Sequence, residues 1–265
     1  MQQELFTRDP IAFYQFDERG DWKKIKDQLS ILPDEEDEIL PGIQWGCSST
    51  LFTPAYWKAQ YLFYHSKGGF DIDYKLGRDI LEEVVACLLG GFGLKSEIGL
   101  LAYERMVSEN LIRPGVEFEA IHNALLEPFL YQNKKVHYRF PNQKSKFIHL
   151  FLNRSDIESI PKSDDLELRN WLMTIKGIGP KTASWVTRNY MDSENVAIID
   201  IHIYRAGLIM GLFGDDLDVN KDYFNLEKRF IQFCDKLKVE ASKMDALIWL
   251  QMKESNHLAL KFLNK

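Results

Sequence analysis

The stretch "LMTIKGIGPKTASWVTRNY" (172–190) decides how this chain is read. Leu172 and Ile175 close a helical pattern that begins near Asp164 or Asp165. Gly177-Ile178-Gly179 follows, with glycine where backbone must bend sharply or approach a partner closely. Pro180 then opens a second helix at the position where its missing N–H costs nothing. Ala183 falls where two crossing helices need a small side chain. Two helices joined by so tight a turn point unused amides outward at the positive end of a helix dipole, which is a cradle for phosphate. Gly177 and Gly179 are therefore expected at a phosphate.

Lys181 is the second residue of the helix that this turn opens. An amine is a nucleophile only when neutral, and at a reference pKa of ~10.4 only about 0.1% of a lysine is neutral at physiological pH. Lowering the pKa by ~3 units takes roughly 4 kcal/mol of destabilisation of the ammonium. A helix start and a desolvated site both act in that direction. Nineteen residues on, Asp200 stands in the apolar run "VAIIDIHIY" (196–204). It is a good N-cap for the helix that follows, worth about 1 kcal/mol. A carboxylate held that rigidly is also suited to stabilise an oxocarbenium-like transition state at a sugar carbon. Trp185 lies one turn beyond Lys181 on the same helix face, and Asp245 and Trp249 are another i, i+4 pair.

Outward from this stretch the chain reads as all-α. Helical periodicity is expected from Pro54 to Ser66 and over about 73–89, 94–110, 115–132, 142–153, 165–175, 180–190, 201–212, 221–237 and 242–254. "LPGIQWGCSS" (40–49) reads as a loop. Hydrophobic content of 45% with 13% aromatic residues supports a real core. No apolar run reaches the roughly 18 residues needed to span a bilayer, and the N-terminus lacks signal-peptide character, so a cytoplasmic protein without membrane contact is expected. The net charge of −6 weighs against nucleic acid, but eleven Lys/Arg face five Asp/Glu between Tyr131 and Tyr190. The acids gather instead in the first fifty residues, as in "PDEEDE" (33–38). A localised basic face is compatible with tracking phosphates. Cys47, Cys87 and Cys234 are too few and too scattered for a disulfide framework or a metal site, and each is expected as a small buried hydrophobe.

These motifs resemble the helix-hairpin-helix DNA glycosylases, closest to their 8-oxoguanine branch. The pattern Leu-x-x-Ile-x-Gly-Ile-Gly-x-x-x-Ala, "RFPNQKSKFI" (139–148) and "MDALIWL" (244–250) carry the resemblance. It implies two helical lobes flanking a DNA-binding cleft, residues 1–75 being an N-terminal extension that contributes to the first lobe. Residues 76–265 would be the glycosylase core, with its hairpin at 165–190. It implies Lys181 as nucleophile and Asp200 as its electrostatic partner in a glycosylase and abasic-site lyase. Trp185, Asp245, Trp249 and Phe92 would meet the extruded base. Phosphates would fall to His202, Arg139, Lys144, Lys146 and Arg188 beside the two glycines. The implied partner is double-stranded DNA containing a modified base, by default 8-oxoguanine, bound by a monomer. Gly90, Gly91 and Phe92 stand in place of the polar gap-filling residues of many relatives, which leaves the opposite-base preference open. A roomier pocket formed by Trp185, the glycine-rich 90–93 loop and the N-terminus, as for a hypermodified cytosine in viral DNA, is an alternative. A non-catalytic DNA-binding module is another, although it would need neither Lys181 nor Asp200. No cofactor is expected, and three cysteines cannot build the four-cysteine iron–sulfur cluster of other relatives.

Overall fold

The computed structural model describes residues 20–66, 75–91 and 93–264, and Phe92, expected at the base, lies outside them. In chain order these residues form α1 (Gly20–Leu29), β1 (Glu38–Leu40), β2 (Ile43–Gln44), α2 (Pro54–Ser66), α3 (Ile80–Leu89), α4 (Ser96–Ser108) and α5 (Phe118–Leu126). Next come β3 (Phe129–Tyr131), β4 (Lys134–Val136), α6 (Pro141–Leu152), α7 (Asp165–Leu172) and α8 (Pro180–Met191). The chain ends in α9 (Ile201–Ile209), α10 (Tyr223–Leu237), α11 (Ala241–Glu254) and α12 (Asn256–Phe262). The fold is all-α apart from two small antiparallel hairpins.

Those hairpins correct two sequence expectations. The segment read as a loop at 40–49 contains β2, which pairs with β1. The helix expected to reach 132 ends at Leu126, because Pro128 disfavours helical backbone in the residue before it. The chain then turns back through Gln132 and Asn133, both at positive φ, which is the two-residue turn that matches strand twist. The helix expected from 73 begins at Ile80, where the Asp79 carboxylate accepts the Glu82 amide at 2.9 Å and sets the start.

Contacts divide the chain into two compact units. One takes its described residues from 75–193 and the other from 20–66 and 194–264. In the first, α8 packs on α3 and α7, and α6 packs on α3 and α5. Its core holds Val84, Leu88, Ile148, Leu168, Leu172 and Val186. Ala183 is fully buried there, as the crossing of α7 and α8 requires. In the second unit, α9 packs on α11 and α12, and α11 also packs on α10 and α2. Trp57, Phe230, Phe233, Ile203, Leu247 and Ile248 fill that core.

Candidate active site

The first unit presents the hairpin. Asp164 caps α7 by accepting the Glu167 amide at 2.7 Å. After α7 the turn bonds internally through the amides of Thr174, Ile175 and Ile178. Ile178 is buried, whereas Lys176, Gly177 and Gly179 are exposed. Gly177 has φ +95°, and a Cβ there would lie 2.2 Å from the Phe147 ring of α6, so only glycine lets the turn lie on that helix. Gly179 is the N-cap of α8 and supplies no side chain to close the first amides. A Cβ on it would meet nothing within 4 Å. The start of α8 is thus an open cradle of the kind that takes an anion, and half-buried Lys181 stands one residue inside it.

Polar groups of α6 and of the residues just before it hold the end of α3. The Lys144 ammonium donates to the carbonyls of Leu88 at 2.5 Å and Gly90 at 3.3 Å, and the Tyr138 hydroxyl donates to Leu89 O at 2.7 Å. These are carbonyls that a helix end leaves without intrahelical partners. Burial, and then the charge of Lys181, pull the Lys144 pKa below the usual lysine value. Burial raises that of Tyr138. Lys144, expected on phosphate, is therefore engaged with its own backbone. Arg188 is corrected in the same way. It is buried, and its Nε and Nη2 donate to Asn189 Oδ1 at 3.1 and 2.9 Å. Asn189 Nδ2 donates in turn to Glu83 Oε1 at 2.7 Å, while Glu83 Oε2 accepts the amides of Leu76 and Gly77. Burial lifts the Glu83 pKa despite these bonds, and burial first, then Glu83, keep the Cys87 thiol neutral. Arg139 and Lys146 remain exposed, the former donating to Gly93 O at 3.0 Å. Half-buried Trp185 lies against Gly90.

The second unit presents Asp200. The run before it is largely buried but joins no strand, so its amides need other acceptors. Ala197 N–H donates to Glu227 Oε1 at 3.1 Å, Ile198 N–H to Asp245 Oδ2 at 3.0 Å, and Ile199 N–H to the Tyr223 hydroxyl at 3.3 Å. Tyr223 also donates to Ala197 O at 2.8 Å. Asp200 then caps α9, its Oδ1 accepting from His202 N at 2.8 Å and Ile203 N at 3.0 Å. Asp245, expected at the edge of a base, is 2% exposed and supports this backbone instead. Trp249 is half-buried, edge-to-face with His202 at 6.5 Å, with the Lys253 ammonium 5.0 Å from its ring centre.

Sequence reasoning missed Glu227, Tyr223 and Lys253. Only the buried amides of 197–199 call for the first two, and an apolar run by itself does not reveal that it lacks a strand partner. Cys47 is half-buried rather than buried, with Sγ 3.0 Å from Ser49 Oγ. Among the described residues no three His, Cys, Asp or Glu side chains converge as a metal site, and no helix is long and apolar enough to cross a membrane.

The family model described as 8-oxoguanine DNA glycosylase matches residues 73–239. The 8-oxoguanine DNA glycosylase/AP lyase of Metallosphaera sedula is 34% identical over 125 residues, covering 44% of this chain and 59% of that protein. The protein of the same name from Saccharolobus islandicus is 31% identical over 153 residues, covering 51% and 72%. This chain thus spans less than two thirds of the length of the first of these relatives. The crystal structure of the 8-oxoguanine DNA glycosylase of Thermotoga maritima matches with a TM-score of 0.52 at 22% identity, over 75% of this chain and 89% of that one, which is a likeness of fold. By the reach of the family model across both the hairpin and the Asp200 helix, the chain belongs to the 8-oxoguanine DNA glycosylase family of helix-hairpin-helix proteins.

Proposed function

We propose that this chain is a DNA glycosylase with abasic-site lyase activity, acting as a cytoplasmic monomer on double-stranded DNA that carries 8-oxoguanine. The observation that carries the reading is the start of α8: an uncapped glycine turn, open to solvent, with a half-buried lysine one residue inside it. The names of the relatives support the same activity.

In this reading the turn amides at Gly177 and Gly179 grip a phosphate, with Arg139, Lys146 and His202 on neighbouring ones. The extruded base stacks on Trp185 and Trp249. The lone pair of Lys181 Nζ forms a bond to C1′ as the glycosidic bond breaks, and the base leaves with the electron pair of the broken bond and takes up a proton. Asp200, already fixed by its cap, stabilises the positive charge on the sugar. The amine proton is lost, the sugar ring opens and an imine remains. Loss of a proton from C2′ then breaks the C3′–O bond, and water releases the lysine. Asp245, Glu227 and Tyr223 position the backbone leading to Asp200, while Lys144 and Arg188 belong to the scaffold under α8.

Borohydride reduction on duplexes that carry single defined lesions tests this. The expected result is a covalent protein–DNA adduct with 8-oxoguanine duplex that Lys181→Gln abolishes. Binding to lesion DNA without any adduct would leave only a DNA-binding module. An adduct formed fastest with a modified cytosine would keep the chemistry and replace the substrate.

A further inference from the structure

Gly90 has no conformational need to be glycine. It ends α3 at φ −89° and ψ −168°, an extended geometry open to any residue. Space is what it lacks: a Cβ built on it would stand 3.1 Å from Trp185 Cη2 and 3.4 Å from Cζ3. The far edge of the indole therefore occupies the volume a side chain would take. The backbone at Gly90 is also poorly able to retreat. Its own carbonyl and that of Leu88 accept from Lys144, Leu89 O accepts from Tyr138, and its amide donates to Ala86 O at 3.2 Å. With one wall fixed by four bonds, a side chain at position 90 is accommodated by moving the indole. Trp185 is one helical turn from Lys181 on the same side of α8.

We infer that Gly90 is a specificity-determining residue, which sets the seat of Trp185 and through it the fit of the planar base that Lys181 releases. This rests on the glycosylase reading above. Elimination at an abasic site has no base to seat and is indifferent to the pair, whereas release of a base depends on it. A displacement on the scale of 1 Å at a substrate-positioning group costs up to about a hundred-fold in rate. An alanine, which needs a shift of a few tenths of an ångström, is expected to cost less than a valine.

The experiment is a graded series, Gly90→Ala and Gly90→Val, each made also with Trp185→Leu. Three readouts are taken: single-turnover release of 8-oxoguanine from duplex DNA, borohydride trapping on duplex carrying an abasic site, and the emission of Trp185. The last is isolated by subtracting the spectrum of the matching Trp185→Phe protein, because the chain holds 6 tryptophans. We expect Gly90→Ala to slow base release about five-fold and Gly90→Val about fifty-fold, within the range that misplacement allows. Trapping should stay within about two-fold of the parent, and the Trp185 emission should shift in step with release. In the Trp185→Leu background the residue at 90 should change release less than about two-fold, since the coupled partner is gone. Emission unmoved by alanine, or equal slowing with and without Trp185, overturns the inference while leaving the glycosylase reading intact. A parent chain that neither traps abasic DNA nor releases a base refutes that reading instead, and the specificity role with it. Should valine unfold the protein, the alanine pair and its spectra decide the matter alone.

Discussion

The helices that carry Lys181 and Asp200 begin in opposite ways. At α9 a carboxylate folds back onto the amides of His202 and Ile203, and three side chains hold the run that delivers it. At α8 the capping residue is glycine, and its place beside the dipole is left open. A helix start needs an acceptor for its first amides. One unit supplies it from its own chain, and the other leaves the position open, where the proposed reading puts a DNA phosphate. The difference teaches that Asp200 is built for rigidity and the α8 turn for reception. The helix start of α3, which Asp79 caps, is a useful control.

The widest gap between the two starts is expected on removal of their charged residues. Lys181→Gln should abolish borohydride trapping, a drop of about a thousand-fold or more where one group is the nucleophile. Stability in urea should barely change, since half-exposed Lys181 closes no cap. Asp200→Asn separates charge from capping. Asparagine caps as well as aspartate, so the unfolding midpoint should hold, while base release falls about a hundred-fold for loss of an electrostatic stabiliser. Asp200→Ala should lose the same activity and about 1 kcal/mol of stability as well. If asparagine kept full activity, Asp200 would be a cap and nothing more.

The two turn glycines sharpen the contrast within one unit. Gly177→Ala places a Cβ 2.2 Å from the Phe147 ring at φ +95°. Overpacking and backbone strain together are expected to cost about 3 kcal/mol in denaturant unfolding. Gly179→Ala meets open space at φ −98° and should change stability by less than about 1 kcal/mol. Its added methyl stands at the cradle, so DNA affinity, read by fluorescence anisotropy at fixed salt, should fall several-fold. Equal stability losses at the two positions would show the open cradle to be a packed surface.

The smallest effect concerns the control helix. The Arg78 guanidinium, joined by the Tyr103 hydroxyl at 2.9 Å, holds the Glu82 carboxyl down at about 2. A depressed carboxylate contributes stability that is present above its unfolded value of ~4.3 and is lost as pH falls through the folded value. Arg78 is 78% exposed, so solvent screening keeps the contribution small. Thermal unfolding should show that loss between pH ~4.5 and ~2 in the parent and not in Glu82→Gln. Trapping at neutral pH should be the same in both.

Much of this architecture was legible in the residues, because helix punctuation is local. Glycine, proline and a capping aspartate act on backbone within a few positions, so the hairpin, Pro180 as a first helical residue and Asp200 as an N-cap could all be read directly. Glu227 and Tyr223 could not, since their reason for being polar is a set of buried amides 30 and 24 residues away. The bond between Asp245 and the Ile198 amide was hidden for the same cause: an i, i+4 pair states which residues share a helix face, not whether that face is dry.

The sequence by itself determined where helices start and stop, which amine stands inside the open turn, and which carboxylate closes the next helix. Tertiary structure alone decided the fate of the charges. Lys144 found carbonyls 56 and 54 residues away, Asn189 carried Arg188 into a network with Glu83 106 residues away, and Asp245 took an amide 47 residues away. Backbone rules act over a turn of chain, whereas a charged side chain is settled by whichever unsatisfied group the folded core brings beside it, because leaving such a group buried and unpaired costs about 1–3 kcal/mol.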